Sequence, residues 1–132
     1  MKTVGNIVLP AGIAAPVGPY SHGVRVAGTG MWLHIAGQIG LSADGRVAEG
    51  FEAQAHQAWA NLTAVLNTAG MDVSHLVKVS TYLTNSDDLK KLGPIRANYL
   101  GEARPASTLI VVQALAHPSW CFEVEACAFR EA

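Results

Sequence analysis

The longest regular pattern of apolar positions spans residues 51–69, where Phe51, Ala55, Ala58, Trp59, Leu62, Val65, Leu66 and Ala69 recur at steps of three and four. That spacing gathers them on one stripe of an α-helix, and Gly70 supplies its stop. Elsewhere a two-residue period dominates. Residues 77–83 alternate as a strand, as do 121–129, where Phe122, Val124, Ala126 and Ala128 share one side and Cys121, Glu123, Glu125, Cys127 and Phe129 the other. Further strands are expected near 5–9, at 23–27 and 32–38 with the Gly28-Thr29-Gly30 turn between them, and at 107–114. The glycines and prolines of 10–19 forbid regular structure there. Asn85, Ser86, Asp87 and Asp88 offer N-cap groups for a second helix to about Leu100, which Gly93-Pro94 is expected to kink or split.

Strands, helix, strand, helix and two strands make one α+β domain over 1–132: a mixed sheet of about six strands with two helices on a single face. In 107–114 one side carries Thr108, Ile110, Val112 and Ala114 and the other Ser107, Leu109, Val111 and Gln113, so both sides are largely apolar. Two helices shield only one. A bare apolar face in a chain that is 50% hydrophobic and 14% charged calls for closed self-association.

Nine basic and ten acidic residues are scattered, which leaves no basic stripe for a phosphate backbone, and nucleic acid is not an expected partner. No apolar run approaches the roughly 20 residues that span a bilayer. The start, Met1-Lys2-Thr3-Val4-Gly5, has no secretory core, so no membrane partner and a cytoplasmic location are expected. Cys121 and Cys127, six apart on one strand, lie about 20 Å from each other, beyond disulfide reach, and read as reduced thiols. His22, His34, His56, His75 and His117 show no metal-ligand spacing, and Gly28-Thr29-Gly30 lacks the third glycine of a dinucleotide loop. Neither a metal nor a cofactor is expected.

The candidate chemistry lies near the C-terminal end. Glu123 and Glu125 interrupt an apolar strand, and a carboxylate buried without a partner is costly, so a cation, a donor network or a working site should be near. Gly18-Pro19-Tyr20-Ser21-His22-Gly23, then Ala36-Gly37-Gln38-Ile39-Gly40-Leu41, then Arg104-Pro105-Ala106-Ser107 with His117-Pro118 and the 121–129 strand follow in order over roughly 5–129. Together they resemble the RidA (YjgF/YER057c/UK114) family of small enamine/imine deaminases. The resemblance implies a chorismate-mutase-like fold, a homotrimer with a barrel-like centre, and a cleft at each subunit boundary. There a small reactive enamine or imine would be hydrolysed to a carbonyl compound and ammonia.

By the same resemblance Glu123 handles the proton or water, Tyr20 stacks over a planar ligand, and Gly37 lets backbone approach that ligand. Plainer readings stand beside these: Glu123, and more so Glu125, as structural acids, Tyr20 as an interface aromatic, and Gly37 as a bulge. Relatives with deaminase activity carry an arginine that clamps the substrate carboxylate where this chain has Ser107, and many carry asparagine where it has Gly93. Losing hydrogen bonds of about 1.5 to 3 kcal/mol each would weaken a carboxylate ligand at least about tenfold. Arg104 lies about 10 Å upstream of Ser107 on the opposite side of the strand, more simply a loop residue than a replacement. Arg96 or a neighbouring subunit is the remaining source of a cation, and nothing in the sequence shows it. Three readings follow: a deaminase preferring a substrate less acidic than 2-aminoacrylate, with Ser107 giving one neutral hydrogen bond; a non-catalytic small-metabolite-binding homologue; or a purely structural or chaperone-like trimer.

Overall fold

In the computed structural model, which describes residues 2–132, the elements run β1 (Asn6–Val8), β2 (Gly23–Arg25), β3 (Gly30–Ile39), α1 (Phe51–Thr68), β4 (Leu76–Leu83), α2 (Leu89–Leu100), β5 (Ala106–Val111) and β6 (Phe122–Glu131). The periodic stripe of α1 is the centre of the core: Ala55, Ala58, Trp59, Leu62 and Leu66 are all fully buried. Gly70 ends the helix with φ +75°, a conformation that costs other residues energy, and its N–H closes on the Asn67 carbonyl at 3.0 Å.

Six strands form, but they divide between two sheets, where the sequence suggested one. The main sheet has the order β3-β6-β4-β5, with antiparallel pairs except for parallel β4 and β5. β1 and β2 pair only with each other. Gly28, at φ +94°, lies in the turn after the three residues of β2, and β3 leaves it to pair with β6.

Two further expectations change. The Gly93-Pro94 step does not split α2, which is continuous through Pro94. Proline removes one intrahelical bond, to the carbonyl of Lys90, and Lys90 is on the exposed side where water can replace it. β5 stops at Val111 rather than 114, because its partner β4 ends at Leu83, whose carbonyl accepts the last bond from the Val112 N–H at 2.7 Å.

The helices cover the sheet side that carries Val79, Thr81, Leu83, Phe122, Val124, Ala126 and Ala128, all buried. Contrary to the expected apolar surface, the open side is mixed: Lys78, Ser80 and Tyr82 of β4 lie beside Glu123, Glu125 and Cys127 of β6 and His34 of β3. The apolar reading came from β5 and does not extend to its neighbours. What is uncovered and apolar gathers toward the end of β5, an edge strand, with Leu109, Ile110 and Val111 at 37%, 44% and 45% exposure. An exposed apolar edge strand is a pairing and aggregation hazard unless something covers it.

Candidate active site

Glu123 owes its setting to a break in the β3–β6 ladder. Ile35 pairs with Ala126 and Gln38 with Val124, so Ala36 and Gly37 together oppose the single residue Glu125. This is a β-bulge, and it turns the backbone of Gly37 toward Glu123. A Cβ on residue 37 would lie 1.8 Å from Oε2 of Glu123 and 2.7 Å from its carboxyl carbon. Only glycine leaves room for that carboxyl against β3. Gly37 is therefore both a bulge and a point of close approach, and the group that approaches is the side chain of Glu123.

Burial, and after it the charge of Glu125, pushes the Glu123 carboxyl above its ordinary value. Among the described residues no donor is hydrogen-bonded to it. Glu125 is engaged differently: it accepts a hydrogen bond from the Tyr82 hydroxyl at 3.0 Å, which raises the tyrosine in turn. Two carboxyls two residues apart thus have unlike surroundings, one held by a phenol and the other free to exchange a proton. Beside them a cavity of about 410 Å³ opens on the uncovered side, lined by His34, Lys78, Ser80, Glu125 and Cys127, with the Cys127 Sγ 3.3 Å from His34 Nδ1.

Gly37→Ala is expected to expel the Glu123 carboxyl from the bulge. The neighbour that must move is the end of a flexible side chain, so the cost should stay below the roughly 1–3 kcal/mol of overpacking a rigid core. Carbon-detected NMR titration of Glu123 should show its midpoint falling toward that of a solvated glutamate.

The other candidates assemble at the start of β5. Ser21 forms a parallel bridge to Ala106, takes the Pro105 carbonyl with its N–H at 3.2 Å, and donates its hydroxyl to the Arg104 carbonyl. This stitch brings Tyr20, one residue earlier, to the strand end that carries Ser107. Tyr20 is half-buried, edge-on to His22 at 6.2 Å, with its hydroxyl 3.4 Å from the Val17 N–H. Arg104 turns its guanidinium back onto the end of α2, donating to the carbonyls of Gly101 at 2.8 Å and Ala103 at 2.9 Å. Gly93 lies on the outer surface of α2, where an added Cβ would meet nothing.

Ser107 pairs with Val79 and so faces the helices, where Nη2 of Arg96 donates to its hydroxyl at 2.9 Å. Arg96 is only 7% exposed, its Nε is buried without a partner, and it forms no ion pair with any carboxylate among the described residues. Desolvation lowers its pKa from the usual guanidinium value. The sequence carried one sign of this: Leu92, Arg96 and Leu100 recur at steps of four, which puts an arginine in the middle of an apolar stripe.

One subunit therefore holds two separate groups. Tyr20, Ser107 and Arg96 cluster at β5, Gly37 and Glu123 at the β3–β6 bulge, and β4 runs between them with Ser107 and Glu123 on opposite sides of the sheet.

The comparisons with known proteins agree with this architecture. The family model described as Endoribonuclease L-PSP matches residues 12–130. A solved structure of a protein of the conserved Rid family from Yersinia pestis superposes with a TM-score of 0.83 at 35% identity, covering 93% of this chain and 96% of that one. The chain belongs to the RidA family. A RutC family protein of Pyrococcus horikoshii is 32% identical over 128 residues, 96% of this chain and 98% of the relative. The 2-iminobutanoate/2-iminopropanoate deaminase of Mus musculus is 35% identical over 118 residues, 88% of this chain and 84% of the enzyme. Imine deamination is thus represented among its RidA relatives, and the α+β fold is that of the family. Among the described residues no helix is long and apolar enough to cross a membrane.

Proposed function

We propose that this RidA-family chain hydrolyses small reactive enamines and imines to a carbonyl compound and ammonia. The observation that carries the reading is the Glu123 carboxyl: seated against Gly37, without a hydrogen-bond donor among the described residues, and raised above its ordinary value by burial and then by Glu125, the direction that suits a group which both gives and takes a proton. In its neutral form it protonates the enamine carbon, giving the iminium ion and leaving Glu123 a carboxylate. As a carboxylate it takes a proton from the water whose oxygen adds to the C=N carbon. The resulting carbinolamine passes its hydroxyl proton to nitrogen, the C–N bond breaks, and ammonia leaves behind a C=O group.

Tyr20 would stack on the planar ligand while the Ser107 edge holds its other end. Those groups and Glu123 would come together across a subunit boundary, with a second copy covering the apolar edge of β5, as a homotrimer would provide. A scattered charge distribution favours a small molecule over nucleic acid as the ligand.

The test is to generate 2-iminopropionate enzymatically and follow pyruvate and ammonia release. Acceleration is expected, rising with pH along a limb above the ordinary glutamate range of about 4.5, since the base must lose its proton. Glu125→Gln removes the second cause of the raised value, so the limb should move to lower pH. No acceleration at high protein concentration would sink the proposal and favour a metabolite-binding RidA homologue, the reading that the serine at position 107 supports.

A further inference from the structure

Cys127 stands between two groups that suit a working sulfur. In the strand registers it lies opposite His34 of β3 and opposite Lys78 of β4, and residues so paired share one side of the sheet. Its Sγ is 3.3 Å from Nδ1 of His34. When the imidazole carries its proton on Nε2, Nδ1 accepts the S–H and is placed to act as a base. The Trp32 ring stacks on that imidazole, with centroids 6.3 Å apart and planes within 19°, and so orients it. Thiol, imidazole and ammonium all line the cavity of about 410 Å³ on the uncovered side of the sheet. The thiolate is the nucleophilic form of cysteine, and a base and a cation beside a partly exposed sulfur favour it. Imine hydrolysis as proposed above uses none of the three.

The lining of the cavity also defines what fits beside the sulfur. Lys78 donates to the Thr108 hydroxyl at 2.6 Å and Glu125 accepts from the Tyr82 phenol, yet among the described residues neither has an ion-pair partner. They are diagonal neighbours, Lys78 opposite Cys127 and Glu125 two residues from it along β6. One cation and one anion in a single cavity, each without a counter-charge, match a ligand that carries a carboxylate and an ammonium on one carbon.

We infer that Cys127 and His34 form a thiol-exchange site whose ligand is a small disulfide with amino-acid ends. His34 takes the Cys127 proton, and the thiolate attacks one sulfur of the ligand. The S–S bond of the ligand breaks, a mixed disulfide forms between Cys127 and one half, and the other half leaves as a thiolate that recovers the proton from His34. Lys78 receives the carboxylate of the bound half and Glu125 its ammonium. Cys121 provides the contrast within the same chain. Among the described residues no base is hydrogen-bonded to its sulfur, and burial, followed by the charge of Asp88, pushes its thiol up.

The test treats the native protein with cystine and, separately, with the uncharged 2-hydroxyethyl disulfide, and follows adducts by intact mass and peptide mapping. Cystine should give a single adduct, on Cys127 and not on Cys121, which a reductant removes. That selectivity is read in the wild type and needs no variant to fold. Cystine should react about tenfold or more faster than the uncharged disulfide, and Lys78→Met should narrow the gap. His34→Gln, a change at an exposed side chain, should slow the adduct with either probe about tenfold, since a free thiol is only a few per cent thiolate at neutral pH. Cys121 labelled as fast as Cys127, or a His34→Gln rate equal to that of the wild type, would overturn the site. So would a Cys127 that stays unmodified in the native protein while urea-unfolded chain is labelled at both cysteines. Equal rates for the two disulfides would overturn the ligand class.

Discussion

Glu123→Gln is expected to lower kcat for imine hydrolysis by about 10²- to 10⁴-fold, the range that a positioned acid–base group contributes. Glutamine keeps the volume and the seat against Gly37 but neither gives nor takes a proton. Stability should move the other way. A carboxyl whose folded value is raised stabilises the fold below its unfolded pKa, and that contribution is lost as pH rises through the folded value. Above that value the wild type carries an ionised, partly desolvated Glu123 beside Glu125, so there the variant should melt at the same temperature or slightly higher. Steady-state kinetics and calorimetry on one preparation check both. A variant with full kcat would show that the carboxyl is structural; one that loses activity through unfolding would show that its charge supports the fold.

The largest effect on stability should come from Trp59→Ala. Trp59 is fully buried on α1 and stacks on Tyr99 of α2, with ring centroids 5.8 Å apart and planes within 15°. The Tyr99 hydroxyl in turn donates to the His56 carbonyl at 3.1 Å, so this ring pair locks the two helices together. Deleting an indole from such a site costs about 3–5 kcal/mol. That is a large part of the about 5–15 kcal/mol that holds an ordinary domain. Trp59→Phe should cost far less, since it keeps a ring on Tyr99 and discards an indole N–H that is buried without an acceptor. Urea denaturation of the two variants separates the terms. If Trp59→Ala lost less than about 1 kcal/mol, the helix–helix contact would not be the centre of the core.

Patterns confined to one element were legible in the sequence. The stripe of α1 and the alternation of β6 are set by burial on one side, and both appear within a residue or two of where they were read. The direction of Glu123 and Glu125, away from the helices, followed from that alternation alone. Features that depend on a partner were not legible. β5 ends where β4 does, which its own run of apolar residues through Val112 could not announce. β2 and β3 look like a hairpin around Gly28 but take different partners, because pairing is decided by the distant β1 and β6. The bulge at Gly37 needs the register of two strands.

The candidate residues divide along the same line. Glu123 and Gly37 were named separately, but that the carboxyl of one fills the space left by the other is a tertiary fact. Arg96 was named as one possible source of the missing cation, but nothing in the sequence placed it; its contact with Ser107 joins a helix to a strand eleven residues on. Arg104, nearer in sequence, spends its donors on the carbonyls at the end of α2.

β6 lies between β3 and β4, pairs with both, and is the last of the strands in chain order. During synthesis, the nascent chain must therefore hold β3, β4 and both helices without their common seam until residues 122–131 have cleared the ribosome. The sheet should therefore form all-or-none, once that strand is available.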